Sequence, residues 1–274
     1  MRCEQYHSAA GRSGNVIPRS LVPYMTMYQA VALLGAGIGG GIAGTMASVA
    51  SVVSYPALLA LGLPPLAANV TNTMSLVFCV PGALLGAQPE LSGQRARVLR
   101  YGAVMAVGGA LGAAVLLLAP PGAFALAVPV LVCSAAVLVL LQPRLRALSP
   151  RPGAEQSRRR LVVMFCVAIY LGYFGAAGGV LVLAALAATL SESLIRINAI
   201  KNVVSGAANL IAASLFALYA PVDWAFVPPL AAGFLLGGYA GQRLVRHLPV
   251  AVLRVVVALA GLALAVKLGI SAYR

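Results

Sequence analysis

Charge is what this sequence has least of. Of its 274 residues only 9% are Asp, Glu, Lys or Arg, against about 25% in an average soluble domain. Hydrophobic residues make up 61%. So few charges cannot cover so much apolar surface, which excludes a soluble enzyme and a disordered chain alike. Acidic residues are scarcest, five in all. Glu90, Glu192 and Asp223 stand at predicted loop edges, and Glu4 and Glu155 lie far from the apolar segments. No carboxylate is predicted in mid-helix, so nothing supports a carboxylate proton relay or cation path. The two histidines, His7 and His247, fall near chain ends or loops and form no ligand cluster. None of the four cysteines (Cys3, Cys79, Cys133, Cys166) belongs to a C-x-x-C pair, and the last three read as small hydrophobes inside apolar runs. The sequence therefore predicts no metal, no cofactor and no enzyme. No cleavable signal peptide is predicted either. Residues 1–24 carry Arg2, Glu4, Arg12 and Arg19 without an apolar stretch. They read as a tail ahead of Met25 and Met27, either of which would serve as a later start.

What is present is apolar sequence in long runs, at roughly 26–61, 66–88, 98–118, 123–141, 161–190, 203–220, 226–242 and 251–270. A spanning helix needs about 20 residues. The fold class this predicts is an all-α polytopic membrane protein. The first and fifth runs are too long for one simple helix, and both are dense in small residues: GAGIGGGIAG at 35–44 and GYFGAAGG at 172–179. They are predicted to be broken or re-entrant helices. Irregular backbone at that depth is tolerated only where protein buries it or a cavity receives it.

The formal net charge is +14, and its placement matters more than its size. Basic residues gather at Arg95, Arg97 and Arg100, in the linker from Arg144 to Arg160, at Arg196 and Lys201, and at Arg243, Arg246 and Arg254. The loops near 119–122 and 221–226 hold no Lys or Arg. By the positive-inside rule the basic clusters face the cytoplasm. The linker arginines are thus a topology anchor, and no nucleic-acid partner is predicted; the partners expected are membrane lipid and a small anion.

The chain also repeats itself. GGALG at 108–112 recurs as GGYAG at 237–241, and ANVTN at 68–72 resembles NAIKN at 198–202, both about 130 residues on. In the first half the loop before the GGxxG helix is basic and the loop after it uncharged. In the second half the order is reversed. Equivalent loops on opposite sides are what an inverted repeat requires. The expected organisation is a tail (1–24), a first transmembrane repeat (25–141), a basic cytoplasmic linker (142–160) and a second repeat (161–274). Each repeat has about four helical segments and opens on a broken helix, and both termini lie outside.

GAGIGG at 35–40 matches G-x-G-x-x-G, but no strand precedes it and no acidic partner follows about 20 residues later, so it is no dinucleotide site. Gly108 and Gly112, and Gly233, Gly237 and Gly241, recur every fourth residue. These are helix-packing stripes that let backbones approach, in the scaffold or at an oligomer contact such as a homodimer. Polar groups inside apolar stretches are costly in lipid and should face protein or an aqueous cavity. They are Asn69, Thr71, Asn72, Thr73 and Ser75 in the first half, and Asn198, Lys201, Asn202, Ser205 and Asn209 in the second. Lys201 is the candidate buried cation.

The sequence resembles the sulfite exporter TauE/SafE family, also called the four-toluene sulfonate uptake permeases, over roughly residues 28–270. The resemblance is carried by GYFGAAGG, NAIKN and VDWAFVPPLAAGFLLGGYAGQRLVRHLP at 222–249, and by YPALLALGLPPLAANVTNT at 55–73. It implies two related halves and transport of small sulfur-containing or organic anions across the bacterial inner membrane. In one respect the chain departs. Where the family usually has Gly-x-Gly-Gly-Gly before the proline matched by Pro56, it reads Ala47-Ser48-Val49-Ala50-Ser51, which bears on the substrate more than on the fold. The expected function is export of a small anion such as sulfite, sulfoacetate or a related carboxylate. Sodium- or proton-coupled uptake of an organosulfur anion is the alternative. The expected substrate-binding residues are Ser48, Ser51, Thr71, Asn72, Gly175, Gly178, Gly179, Lys201 and Asn202. In that site broken-helix N-termini near Ser48–Ser51 and Gly175–Gly179 donate N–H groups, side-chain amides and hydroxyls add donors, and Lys201 adds charge.

Overall fold

The computed structural model describes residues 25–120, 122–147, 158–175, 178–188, 190 and 192–245. The tail, most of the linker, Arg246, Arg254 and the predicted last helix at 251–270 lie outside them. The described residues form helices and their connections. In chain order the helices are α1 (Met27–Ala47), α2 (Ala50–Ala60), α3 (Pro65–Leu76), α4 (Cys79–Gly86), α5 (Gln88–Leu91) and α6 (Arg95–Leu118). Then come α7 (Ala123–Ala147), α8 (Arg158–Tyr173), α9 (Gly178–Ala187), α10 (Leu194–Tyr219) and α11 (Val227–Leu244). Among the described residues, four stretches are long and apolar enough to cross a membrane: α1, α3 with α4, α6 and α10. On α6, Val107, Leu111 and Val115 stay exposed at four-residue spacing while Gly108, Gly109 and Gly112 are buried. One face is thus left for lipid and the other for protein. The protein is a multi-pass membrane protein.

Both overlong runs are hairpins. Thr26 starts α1 with a capping box, its hydroxyl accepting from Gln29 N and its own N–H donating to Gln29 Oε1. The helix continues unbroken through the glycine-rich stretch 35–44 and ends at Ser48. The break therefore falls just past the glycines, at Ser48–Ser51, where the sequence reading sets the broken-helix N-terminus. Ser48 holds φ 67°, the left-handed region, and Val49 N closes the turn onto Ala43 O. The helix α2 then folds back, its Ala50 against Gly44 and its Val53 against Gly39. In the second hairpin the turn does lie within the glycine cluster. Gly175 has φ 77° and its N–H reaches Tyr170 O, and Gly178 of α9 faces Leu171 and Tyr170 of α8.

The glycine stripes explain how the hairpins are seated. Gly37, Gly41 and Thr45 of α1 meet Gly233, Gly237 and Gly241 of α11 in the same order, so the two helices run in the same direction. Gly108 and Gly112 of α6 meet Ala168 and Ile169 of α8 likewise. A β-carbon on Gly41 would stand 2.7 Å from Gly238 N, and one on Gly109 2.7 Å from Ala208 O. Each contact is backbone to backbone, which only glycine permits. The exchange is reciprocal: the first hairpin packs on a helix of the second half, and the second hairpin on a helix of the first.

Candidate functional site

The helix α10 carries the chemistry. Ser193 caps its start by accepting from Arg196 N. Two turns in, Lys201 is only 2% exposed. Its Nζ donates to Gly44 O and to Ser48 Oγ, both at 3.0 Å. Gly44 lies in the last turn of α1, where carbonyls carry the negative end of the helix dipole, so the break at Ser48 makes a seat for an ammonium.

This ammonium borders a cavity of about 70 Å³. A water needs about 10–15 Å³ on this scale, so the space holds about five waters or a compact ligand of that size. Ser48, Ala50 and Ser51 line it from the first hairpin, Gly175 and Gly179 from the second. Two helix beginnings therefore border the same space, at Ala50 of α2 and Gly179 in the first turn of α9, and no side chain caps α2. A β-carbon on Gly179 would stand 3.1 Å from Ser48 Cβ, so the two hairpin tips touch. Helix N-termini and a lysine around one small cavity favour negative charge.

Of the residues the sequence singled out, Ser48, Ser51, Gly175, Gly179, Lys201 and Asn202 line this cavity. Thr71, Asn72 and Gly178 do not. Asn72 stands behind Ser51, donating to Ser51 Oγ at 3.0 Å and accepting from Ser54 Oγ at 2.6 Å. Thr71 accepts from Asp223 N at 2.9 Å. Gly178 packs on Leu171. Asn202 lines the cavity and donates to Gln242 Oε1 at 2.8 Å. Asn72 and Asn202 hold corresponding positions in the repeat but have unlike partners.

The matched pair is instead Asn69 and Asn198, which the sequence reading left outside the site. Asn69 Nδ2 donates to Tyr173 O, at the end of α8, at 3.2 Å. Asn198 Nδ2 donates to Thr45 O, near the end of α1, at 2.7 Å. Each asparagine ties off the hairpin belonging to the other half of the chain. They stand one place out of register in ANVTN and NAIKN but 129 residues apart, the offset of the two GGxxG motifs, and that offset is the signal the sequence offers.

A second cluster joins the starts of α6 and α10. Glu192 accepts from Arg97 Nη1 at 2.7 Å and Arg196 Nη1 at 2.8 Å, and Gln94 adds a third contact. The hydrogen bond from Arg196, then that from Arg97, holds the Glu192 carboxyl down at about 2. Among the described residues no three His, Cys, Asp or Glu side chains gather as a metal site would need.

The chain was compared with known proteins. The model of the family described as Sulfite exporter TauE/SafE matches residues 31–268. No curated protein and no solved structure gives a significant match.

Proposed function

The chain belongs to the sulfite exporter TauE/SafE family, a family of membrane transporters, and on that premise we propose that it exports a small anion across the bacterial inner membrane. Sulfite, sulfoacetate and related organosulfur or carboxylate anions are the substrates in view. The observation that carries this reading is Lys201: an ammonium 2% exposed, on the wall of a cavity that two helix beginnings share. Such a site matches negative charge and has no use for an embedded carboxylate. The direction follows from the membrane potential. Moving one charge across 100 mV is worth about 2.3 kcal/mol, so an anion leaves a negative interior downhill.

The two halves are inverted with respect to each other in this reading. The reciprocal seating of the hairpins and the matched contacts of Asn69 and Asn198 support that arrangement. Arg97, Glu192 and Arg196 then lie on the cytoplasmic side, at the mouth from which anions enter. Membrane lipid and the transported anion are the partners.

Liposomes holding the purified protein and labelled sulfite or sulfoacetate test the proposal. The expected result is efflux well above that of empty liposomes, lost in Lys201→Met while the variant still inserts. Efflux no faster than background across a panel of such anions refutes it. An accumulation that depends on a sodium or proton gradient would establish coupled uptake instead.

A further inference from the structure

Two polar side chains on the cavity wall have no role in the network around Lys201. Ser205 and Asn209 follow it at four and eight residues along α10, so all three line one face of the helix. At about 1.5 Å of rise per residue they stand about 6 and 12 Å beyond Lys201 along the axis. Both are buried, 9% and 6% exposed. Ser205 Oγ and Asn209 Oδ1 have no hydrogen-bond partner among the described residues. A buried polar atom without a partner costs about 1–3 kcal/mol, a cost that only what occupies the cavity can relieve. Much of the remaining wall is apolar or small, with Leu76, Val80, Ala83, Leu171 and Gly206.

We propose that Ser205 and Asn209 form a second, uncharged subsite, which takes an N–H or O–H group of the transported anion while its acidic end is held at Lys201. Asn209 Oδ1 can only accept, and Ser205 Oγ can accept beside it, so the group they take is a donor. The ligand this selects is a short organic anion carrying a hydroxyl or amino group away from its charge. This rests on the reading of the cavity as an anion site and narrows it. Specificity built this way is strong, because an analogue without the donor leaves the buried oxygens unpaired.

Isethionate and 1-propanesulfonate have the same heavy-atom skeleton and charge and differ in the terminal hydroxyl. Their binding to the full chain in lipid nanodiscs is measured by titration calorimetry. The wild type is expected to prefer isethionate about tenfold, as one well-made hydrogen bond allows. In Ser205→Ala and Asn209→Leu that preference falls towards one. Ser205→Ala removes only a hydroxyl and keeps the test open should Asn209→Leu fail to fold. Binding of both sulfonates without discrimination in the wild type, or an undiminished preference in the variants, overturns the second subsite and leaves the anion site standing. Binding of neither sulfonate overturns both.

Discussion

Ser48 shows how much a single residue decides. A residue other than glycine in the left-handed region costs about 1–2 kcal/mol, and this one is retained where its hydroxyl accepts from Lys201. Ser48→Gly and Ser48→Ala both remove the hydroxyl, but only the alanine keeps a β-carbon at φ 67°. Ser48→Gly is therefore expected to be more stable than Ser48→Ala by about 1 kcal/mol, read from thermal unfolding in one detergent. Equal stability would mean the turn relaxes when the side chain is removed. Glu192 offers a second test at this scale. Its carboxyl is held at about 2 against an ordinary 4.5. Its contribution is thus complete above pH 4.5 and fades as the pH falls towards 2. Acid unfolding of the wild type should steepen in that window, and Glu192→Gln should lack this component.

At the scale of elements, the sequence was legible where local chemistry sets the structure and misleading where a distant partner does. The second hairpin turns inside GYFGAAGG, as glycine density suggests. The first does not turn inside GAGIGGGIAG, because Gly37 and Gly41 serve contact with α11, a helix far along the chain. Local density cannot tell a glycine that breaks a helix from one that admits a neighbour. The same limit applies to the site. Lys201 announced itself as a charge in an apolar run, and Ser48, Ser51, Gly175, Gly179 and Asn202 do share its cavity. Thr71 and Asn72 have the right residue types, but tertiary contacts commit them elsewhere. The packing reading can be tested at Gly109, whose missing side chain leaves room for Ala208. Gly109→Leu should cost at least about 3 kcal/mol, the upper range for overpacking, or prevent accumulation of folded protein in the membrane. Gly62, where nothing lies within 4 Å although φ is 92°, is the control for backbone strain alone.

At the scale of the whole molecule, charge sets orientation. The basic clusters are read as facing the cytoplasm, and the inverted scheme then places both termini outside. Reporter fusions that are active only in the cytoplasm or only outside it are expected to mark both ends as external. A cytoplasmic C-terminus would require a different number of crossings in the second half, and with it a different account of the hairpin α8–α9. The Arg97–Glu192–Arg196 clasp supplies an internal marker, since it fixes the beginnings of α6 and α10 on one side.

The seating of each hairpin on the opposite half has a consequence for assembly. The glycines of α1 find their match on α11, and those of α6 on α8, so neither half contains a finished set of surfaces. Each is an incomplete fold that exchanges its first element with its neighbour, as domain-swapped dimers do. Expressed as two separate chains, the halves are therefore expected to reassociate through that exchange, which co-purification from one membrane would show.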